Sequence, residues 1–427
     1  VFKKALIRDL KLTWVSLREE RWLAHRFIIY YALAFLLVDL AVFVIVWART
    51  YGLLHGYSGA SSTDFLSFYT AGQLADHGPP ALAYDHAAHN HAEQALRPGV
   101  RYNFFFYPPI YLMVCALLAR LPYVAAFVLF QTTSFLAYLF VAKKTLHDSD
   151  WKTLLPIIAF PVVFWSIGLG QNSLLTAALF GGALLLLDRQ PLWAGVLFGL
   201  VAYKPDLGVL IPIALAAGRR WQAFMAATLT VVGLVALSLV CFGPETWHSF
   251  FTSFITSQQT YETGGVDRKG FVTLFGAILV FQGGSTLATA VQAIAMLGLA
   301  IWVFIVWRRD TSLPMRAATL LTATPLAVPV AQFYELVMSG LAMMWCIRAT
   351  KDIGWGPWEK TAMAILFVAA GWTGKLGFGP RLLFPLLVAL GAFAISVLFV
   401  RREWALHDGP RNPARFGRDF QNMPEAV

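Results

Sequence analysis

Apolar runs, some of membrane length and some about half that, alternate with short polar breaks along almost the whole chain. They lie near residues 27–48, 109–121, 123–142, 153–168, 171–187, 192–204, 206–218, 221–242, 287–307, 313–330, 333–348, 358–373 and 381–400. A bilayer core takes roughly 20 apolar residues as one helix, so the pattern predicts an all-α polytopic membrane protein. Two longer polar stretches, about 49–107 and 243–286, interrupt the runs. In the first, apolar and polar residues mix at helical spacing over Phe68–Asp76 and Asp85–Leu96. Gly78-Pro79-Pro80 stands between them, which predicts two amphipathic helices and a break.

Composition agrees. Of 427 residues, 58% are hydrophobic and 13% charged, against about 25% charged in a soluble domain. That is too few for a water-soluble core. The net charge of +10 raises nucleic acid as a partner, but the basic residues lie where apolar runs meet polar sequence. Lys3, Lys4, Arg8, Lys11, Arg18, Arg21 and Arg26 precede the first run, and Arg219-Arg220, Arg308-Arg309 and Arg401-Arg402 border later ones. This is the positive-inside pattern, and it predicts no nucleic-acid partner. It also predicts a basic cytoplasmic segment over 1–26, able to lie on anionic membrane lipids. A single transmembrane domain follows over 27–400, then a Pro- and Gly-rich cytoplasmic tail over 401–427 that reads as disordered. No cleavable leader is evident, so the first run should remain as an anchor. Cys115, Cys241 and Cys346 have neither disulfide nor zinc spacing.

Two cytoplasmic ends require an even number of crossings, and there are thirteen runs. If 109–142 makes one net crossing, about twelve result. Lys143-Lys144 then falls inside, while Gly170-Gln171-Asn172 and Tyr203-Lys204-Pro205-Asp206 fall outside, on the side of both long polar stretches. The alternative pairs 109–121 with 123–142 as a hairpin and makes 192–218 one kinked crossing.

Asp64 follows the first run within Ser61-Ser62-Thr63-Asp64, a sequence suited to capping a helix. A carboxylate at the mouth of a membrane domain is also suited to act as general base, deprotonating an acceptor hydroxyl for attack on an anomeric carbon. The two roles are compatible.

An ordered set of segments resembles glycosyltransferase family 87 over roughly residues 60 to 345. It begins with Asp64-Phe65, Phe68-Tyr69-Thr70-Ala71-Gly72, Ala83-Tyr84-Asp85 and Phe106-Tyr107-Pro108-Pro109. Gly170-Gln171-Asn172, Ala194-Gly195 through Lys204-Pro205, and Arg219-Arg220-Trp221 follow. Lys269-Gly270-Phe271-Val272 resembles a family loop whose serine is replaced here. Thr324-Pro325 through Gln332-Phe333-Tyr334-Glu335-Leu336 resembles a further segment, with Glu335 in place of the family's acid. The resemblance implies a C-type membrane glycosyltransferase fold, with Asp64 matching the acid proposed as catalytic base. It implies a sugar, mannose by preference, carried on a polyprenyl phosphate. The acceptor would be a lipid, glycolipid or glycan at the outer face of the cytoplasmic membrane. The departures at the Lys269 loop and Glu335 leave acceptor identity open.

A departing polyprenyl phosphate calls for nearby cations. Arg101, Lys204, Lys269, Lys375 and Arg381 are the candidates. Lys204, between two apolar runs, needs a cavity or a partner such as Asp206. Lys375 and Arg381 also suit interface anchoring. Gln171 and Asn172 are candidates for sugar hydroxyls, with interhelical bonding as the alternative use. Tyr107, ending Phe104-Phe105-Phe106-Tyr107, is a candidate on the donor side. Tyr69, Gln332, Tyr334 and Glu335 are candidates on the acceptor side, with helix capping the alternative for Glu335. On a helix His86 and His89 would share a face and His91 would not. With no Asp-x-Asp motif and a phosphate monoester as leaving group, neither metal nor cofactor is expected. A transporter or flippase, or a non-catalytic glycolipid-binding subunit, would share the helix pattern. The missing internal repeat speaks against the former.

Overall fold

The computed structural model describes residues 25–50, 64–147, 150–262, 270–373 and 383–408, with Val15 and Arg18. Among the described residues there is no strand, only one isolated bridge between Phe271 and Gln332. The helices are α1 (His25–Thr50), α2 (Asp64–His77), α3 (His86–Leu96), α4 (Pro109–Ala119), α5 (Tyr123–Leu146), α6 (Leu155–Ile158), α7 (Pro161–Leu169), α8 (Ser173–Leu186) and α9 (Pro191–Leu200). They continue as α10 (Leu210–Ala217), α11 (Trp221–Glu262), α12 (Leu274–Val280), α13 (Ser285–Arg308), α14 (Leu313–Ala327), α15 (Val337–Ile353), α16 (Glu359–Ala370) and α17 (Phe384–Asp408). The reading of 401–427 as a tail meets a difference here, since α17 runs on to Asp408. Residues 409–427 lie outside the described residues.

Four of these segments are long and apolar enough to cross a membrane: α5, Trp221–Ser253 of α11, α13 and α17. A fifth forms if the pair Lys152–Ile158 and Pro161–Leu169, bent by 58°, counts as one. The long helices present Leu136 and Phe140, Leu229 and Val232, Ile294 and Leu297, and Leu387 and Leu398 outward. An apolar outer face suits lipid contact, as in a membrane protein. By length, the described residues therefore support four to five spans against the expected dozen. Many of the apolar runs are half-length. Pro109–Ala119, Ser173–Leu186, Pro191–Tyr203 and Pro205–Ala217 are each too short to cross alone.

Proline and glycine set the breaks. Pro109, Pro161 and Pro191 each open a helix in its first turn, where the missing N–H costs nothing. In α11 the axis kinks at Gly243, whose φ is 76°, followed by Pro244. The chain then stays helical to Glu262, so much of the polar stretch assigned to 243–286 is helix. α14 lies at the centre, packed on α13, α15 and α17, with every residue from Ala317 to Ala327 buried. Its threonines fit this interior because Thr322 and Thr324 donate back to the Ala318 and Leu320 carbonyls, each at 2.8 Å.

The two helices predicted in the first polar stretch are present. Asp85 caps α3, its Oδ1 accepting the Ala88 N–H at 2.8 Å. α2 is buried more deeply than an amphipathic helix requires, since residues Phe65 through Gly72 are all buried. It packs on α4, closely enough that a Cβ at Gly72 would stand 2.1 Å from the Cys115 carbonyl oxygen. Gly72→Val should therefore push α2 from α4 and lower stability by roughly 1–3 kcal/mol. Thermal unfolding of the purified protein in detergent would check this, and an unchanged midpoint would contradict the contact.

Candidate active site

The site forms where the breaks between half-length helices meet the first turn of α2. α7 ends at Gly170, whose φ of 71° is one that L side chains rarely adopt. A Cβ there would also stand 2.5 Å from that of Phe65. This close approach lets the next residue reach the first residue of α2, and Gln171 Nε2 donates to Asp64 Oδ2 at 2.7 Å. Gln131 of α5 holds the Gln171 backbone, its Nε2 donating to the carbonyl at 3.1 Å.

Asn172 follows as the residue before α8, and its side chain makes no cap. Its Oδ1 instead accepts from Lys204 Nζ at 3.3 Å. Its carbonyl accepts from the hydroxyls of Thr176, at 3.1 Å, and Tyr203, at 3.3 Å. Lys204 sits between the short helical turns Val201–Tyr203 and Pro205–Gly208. Its ammonium pairs with Glu335 Oε1, and the two side chains are 11% and 1% exposed. The Tyr107 and Tyr334 ring centroids lie 5.9 and 5.6 Å from Nζ, within cation–π range. Asp64, Gln171, Asn172, Lys204 and Glu335 thus form one polar chain, and two adjacent amides tie a carboxylate to an ammonium.

Lys204 pairs with Glu335 and not with its neighbour Asp206. Glu335 lies in the short turn Phe333–Leu336 and makes no cap for α15. Gln332 is nearby in sequence and forms the bridge with Phe271. Val272 N–H donates to the Ala331 carbonyl at 2.9 Å, and Thr273 Oγ1 to that of Pro329 at 2.9 Å. Residues 271–273 and 329–332 therefore lie side by side. Lys269, Lys375 and Arg381 themselves lie outside the described residues. Tyr69 is drawn elsewhere, its hydroxyl donating to the Leu121 carbonyl at 2.8 Å. Arg101 is exposed on the segment between α3 and α4. Among the described residues, no three His, Cys, Asp or Glu side chains group as a metal site would require.

Thr176 and Tyr111 stand in none of the segments singled out for the site, yet both contribute to it. Tyr203 and Thr176 brace Asn172, and Tyr111 stacks on Tyr203 with centroids 5.1 Å apart. His89 and Glu93 of α3 are fully buried behind α2. Burial pushes Glu93 up to about 7, aided by the Asp64 charge and opposed by the Asn103 N–H. Burial pushes His89 down to about 4, with His86 adding and the Ser67 carbonyl opposing.

Compared with known proteins, the chain matches the model of one family, glycosyltransferase family 87, over residues 105–331, more than half its length. Gln171, Asn172 and Lys204 lie inside the matched stretch, while Asp64 and Glu335 flank it. No curated protein and no solved structure matches the chain.

The ion pair makes a stability prediction. Lys204→Met or Glu335→Leu alone strands a buried charge and should cost roughly 3–5 kcal/mol, whereas the double variant should recover most of that loss. Thermal unfolding of the three variants would check it. Additive losses would show that the two side chains do not depend on each other.

Proposed function

The chain belongs to glycosyltransferase family 87, and from that premise we propose that it moves a hexose, mannose by preference, from a polyprenyl phosphate to a lipid or glycan acceptor. That it is a membrane protein with transferase activity, using a sugar donor and an acceptor, follows from the family and the apolar helices. The C-type architecture, the outer face of the cytoplasmic membrane as the place of reaction, and both termini inside are parts of the proposal.

One observation carries it: the chain of polar contacts from Asp64 through Gln171 and Asn172 to Lys204. It joins a carboxylate to an ammonium through groups that do not themselves titrate, which supports reading the two as base and cation of one site. Asp64 takes the proton of the acceptor hydroxyl as that oxygen bonds to the anomeric carbon. The bond from this carbon to the phosphate oxygen breaks, and the electron pair leaves with the polyprenyl phosphate. Lys204 stabilises the charge gathering there. Attack opposite the leaving group inverts the anomeric centre, so a β-linked donor gives an α-linked product.

Lys204 comes to this role already paired. The donor phosphate exchanges for Glu335 on the ammonium, and the Tyr107 and Tyr334 rings keep the cation in place during the exchange. Glu335, once freed, stands close in sequence to the Gln332–Phe271 bridge and is available to acceptor hydroxyls. A monoester leaving group carries less charge than a nucleotide diphosphate, and one lysine suits it. The proposal therefore includes no metal or cofactor.

Asp64→Asn keeps the shape and an oxygen for Gln171 but removes the base. Transfer from labelled polyprenyl-phosphate sugars to membrane lipids should fall by about 10²–10⁴-fold. Donor binding should be kept, and a chelator should leave wild-type transfer unchanged. Equal transfer by both proteins would remove Asp64 from the mechanism. No transfer from any donor in the panel would favour a non-catalytic or transport role.

A further inference from the structure

We propose that the Tyr111 hydroxyl and the Asn172 amide N–H bind the phosphate of the sugar donor, completing a three-point phosphate subsite beside Lys204. This rests on the reading of Lys204 as the cation that meets the leaving phosphate.

The Lys204 ammonium leaves its neighbours half satisfied. Nζ engages one atom of each oxygen-bearing partner, Asn172 Oδ1 and Glu335 Oε1. The other atom of each, Asn172 Nδ2 and Glu335 Oε2, is buried and has no hydrogen-bond partner among the described residues. The Tyr111 hydroxyl is in the same condition, on a side chain that is 1% exposed. Buried polar groups are nearly always paired, and an unpaired one is costly to keep. Three such atoms at one buried ammonium point to a ligand that pairs them.

Tyr111 is fixed beside this centre by its ring. It stacks on Tyr203 with centroids 5.1 Å apart, and lies 4.7 Å from the Tyr107 ring and 5.2 Å from that of Phe68. Tyr203 precedes Lys204, and its hydroxyl donates to the Asn172 carbonyl at 3.3 Å. Tyr107 presents its ring 5.9 Å from the ammonium. Packed on both, Tyr111 turns its hydroxyl toward the Asn172 amide without completing a hydrogen bond to it. Asn172 is held as firmly. Thr176 and Tyr203 hold its carbonyl and Lys204 its Oδ1, which sets the direction of Nδ2 because the amide is planar.

The unpaired atoms select an oxyanion. Nδ2 can only donate, and a phenol hydroxyl can donate. Two donors beside an ammonium suit a group of lone pairs, whereas a sugar hydroxyl also needs an acceptor for its own proton. Glu335 Oε2 is an acceptor, but it leaves with Glu335 when the phosphate takes its place. A carboxylate has two oxygens in one plane, and here it reaches the ammonium without reaching either donor. A tetrahedral phosphate spreads its oxygens, so that one meets Nζ while others meet Nδ2 and the Tyr111 hydroxyl. Such charge-assisted bonds are the strong ones, and they strengthen as the phosphate gains charge on leaving.

The test measures binding of farnesyl phosphate and of farnesol to the purified full-length protein in lipid nanodiscs. Wild type should hold the phosphate more tightly than the alcohol. Tyr111→Phe keeps the ring and its stacking and removes only the hydroxyl. Its affinity for farnesyl phosphate should fall roughly 10–100-fold, as for one hydrogen bond to a charged group, and its affinity for farnesol should not change. Because that hydroxyl is unpaired in the free protein, the thermal unfolding midpoint should stay level or rise. Asn172→Asp keeps an oxygen for Lys204 but puts a second in place of the N–H, and it too should lose the phosphate. Unchanged phosphate affinity in either variant would overturn the proposal. So would equal losses for phosphate and alcohol in Tyr111→Phe, or a lowered midpoint, which would show the hydroxyl serving the fold. The double variant Lys204→Met with Glu335→Leu separates the proposal from its premise. If phosphate preference is lost there but kept in Tyr111→Phe, Lys204 keeps its role and Tyr111 has none. If wild type itself shows no preference for the phosphate, the reading of Lys204 falls and the subsite falls with it.

Discussion

A lysine between apolar helices has to be paired, and much of the site depends on how Lys204 meets that demand. An ammonium withdrawn from water is costly unless an anion and further oxygens surround it. Glu335 supplies the anion and Asn172 Oδ1 an oxygen, while Tyr107 and Tyr334 supply ring faces. Once Asn172 is engaged in this way, the preceding residue is constrained too. Gly170 turns the backbone, Gln131 holds it, and Gln171 reaches Asp64. The carboxylate and the ammonium are therefore placed by the same three-residue break.

Half-length helices make this possible. A helix that spans the bilayer keeps its backbone groups satisfied from end to end and offers no polar break at depth. α7 with α8, and α9 with α10, end and restart within the protein, where irregular backbone is tolerated because protein groups satisfy it. The long helices α11 and α13 face outward with apolar side chains, which leaves the interrupted ones to line the interior. The outer helices present apolar faces that suit lipid, and the interrupted helices hold the polar contacts from Gln171 to Lys204. That arrangement also explains why so few segments meet a length criterion in a chain this apolar.

The sequence made the local parts of this legible. The amphipathic segments, the breaker at Gly78-Pro79-Pro80, the Gly170-Gln171-Asn172 interruption and the anomalous Lys204 all stand out from a single reading of pattern and cost. What could not be read was pairing at a distance. Gln171 and Asp64 are 107 residues apart, Lys204 and Glu335 131 apart, and nothing local favours Glu335 over Asp206 as the partner. The burial of α2 was hidden for a related reason. Ser67, Thr70 and Gln73 give it a polar look, yet Thr70 turns its hydroxyl back to the Leu66 carbonyl and Gly72 admits α4. The helix beyond Gly243 is hidden in the sequence because its polar composition marks it only as a break between apolar runs. The burial of His89 and Glu93 likewise depends on what packs against their helix.

In the proposed mechanism Asp64 and Lys204 serve one reacting centre, the first at the acceptor oxygen and the second at the leaving phosphate. The most direct measurement is the structure of the protein in nanodiscs with a non-transferable phosphonate analogue of a polyprenyl-phosphate sugar. The account predicts the phosphonate on Lys204 between Tyr107 and Tyr334, with the anomeric carbon turned toward Asp64 and Glu335 released. A phosphonate bound elsewhere, with Lys204 and Glu335 still paired, would contradict it.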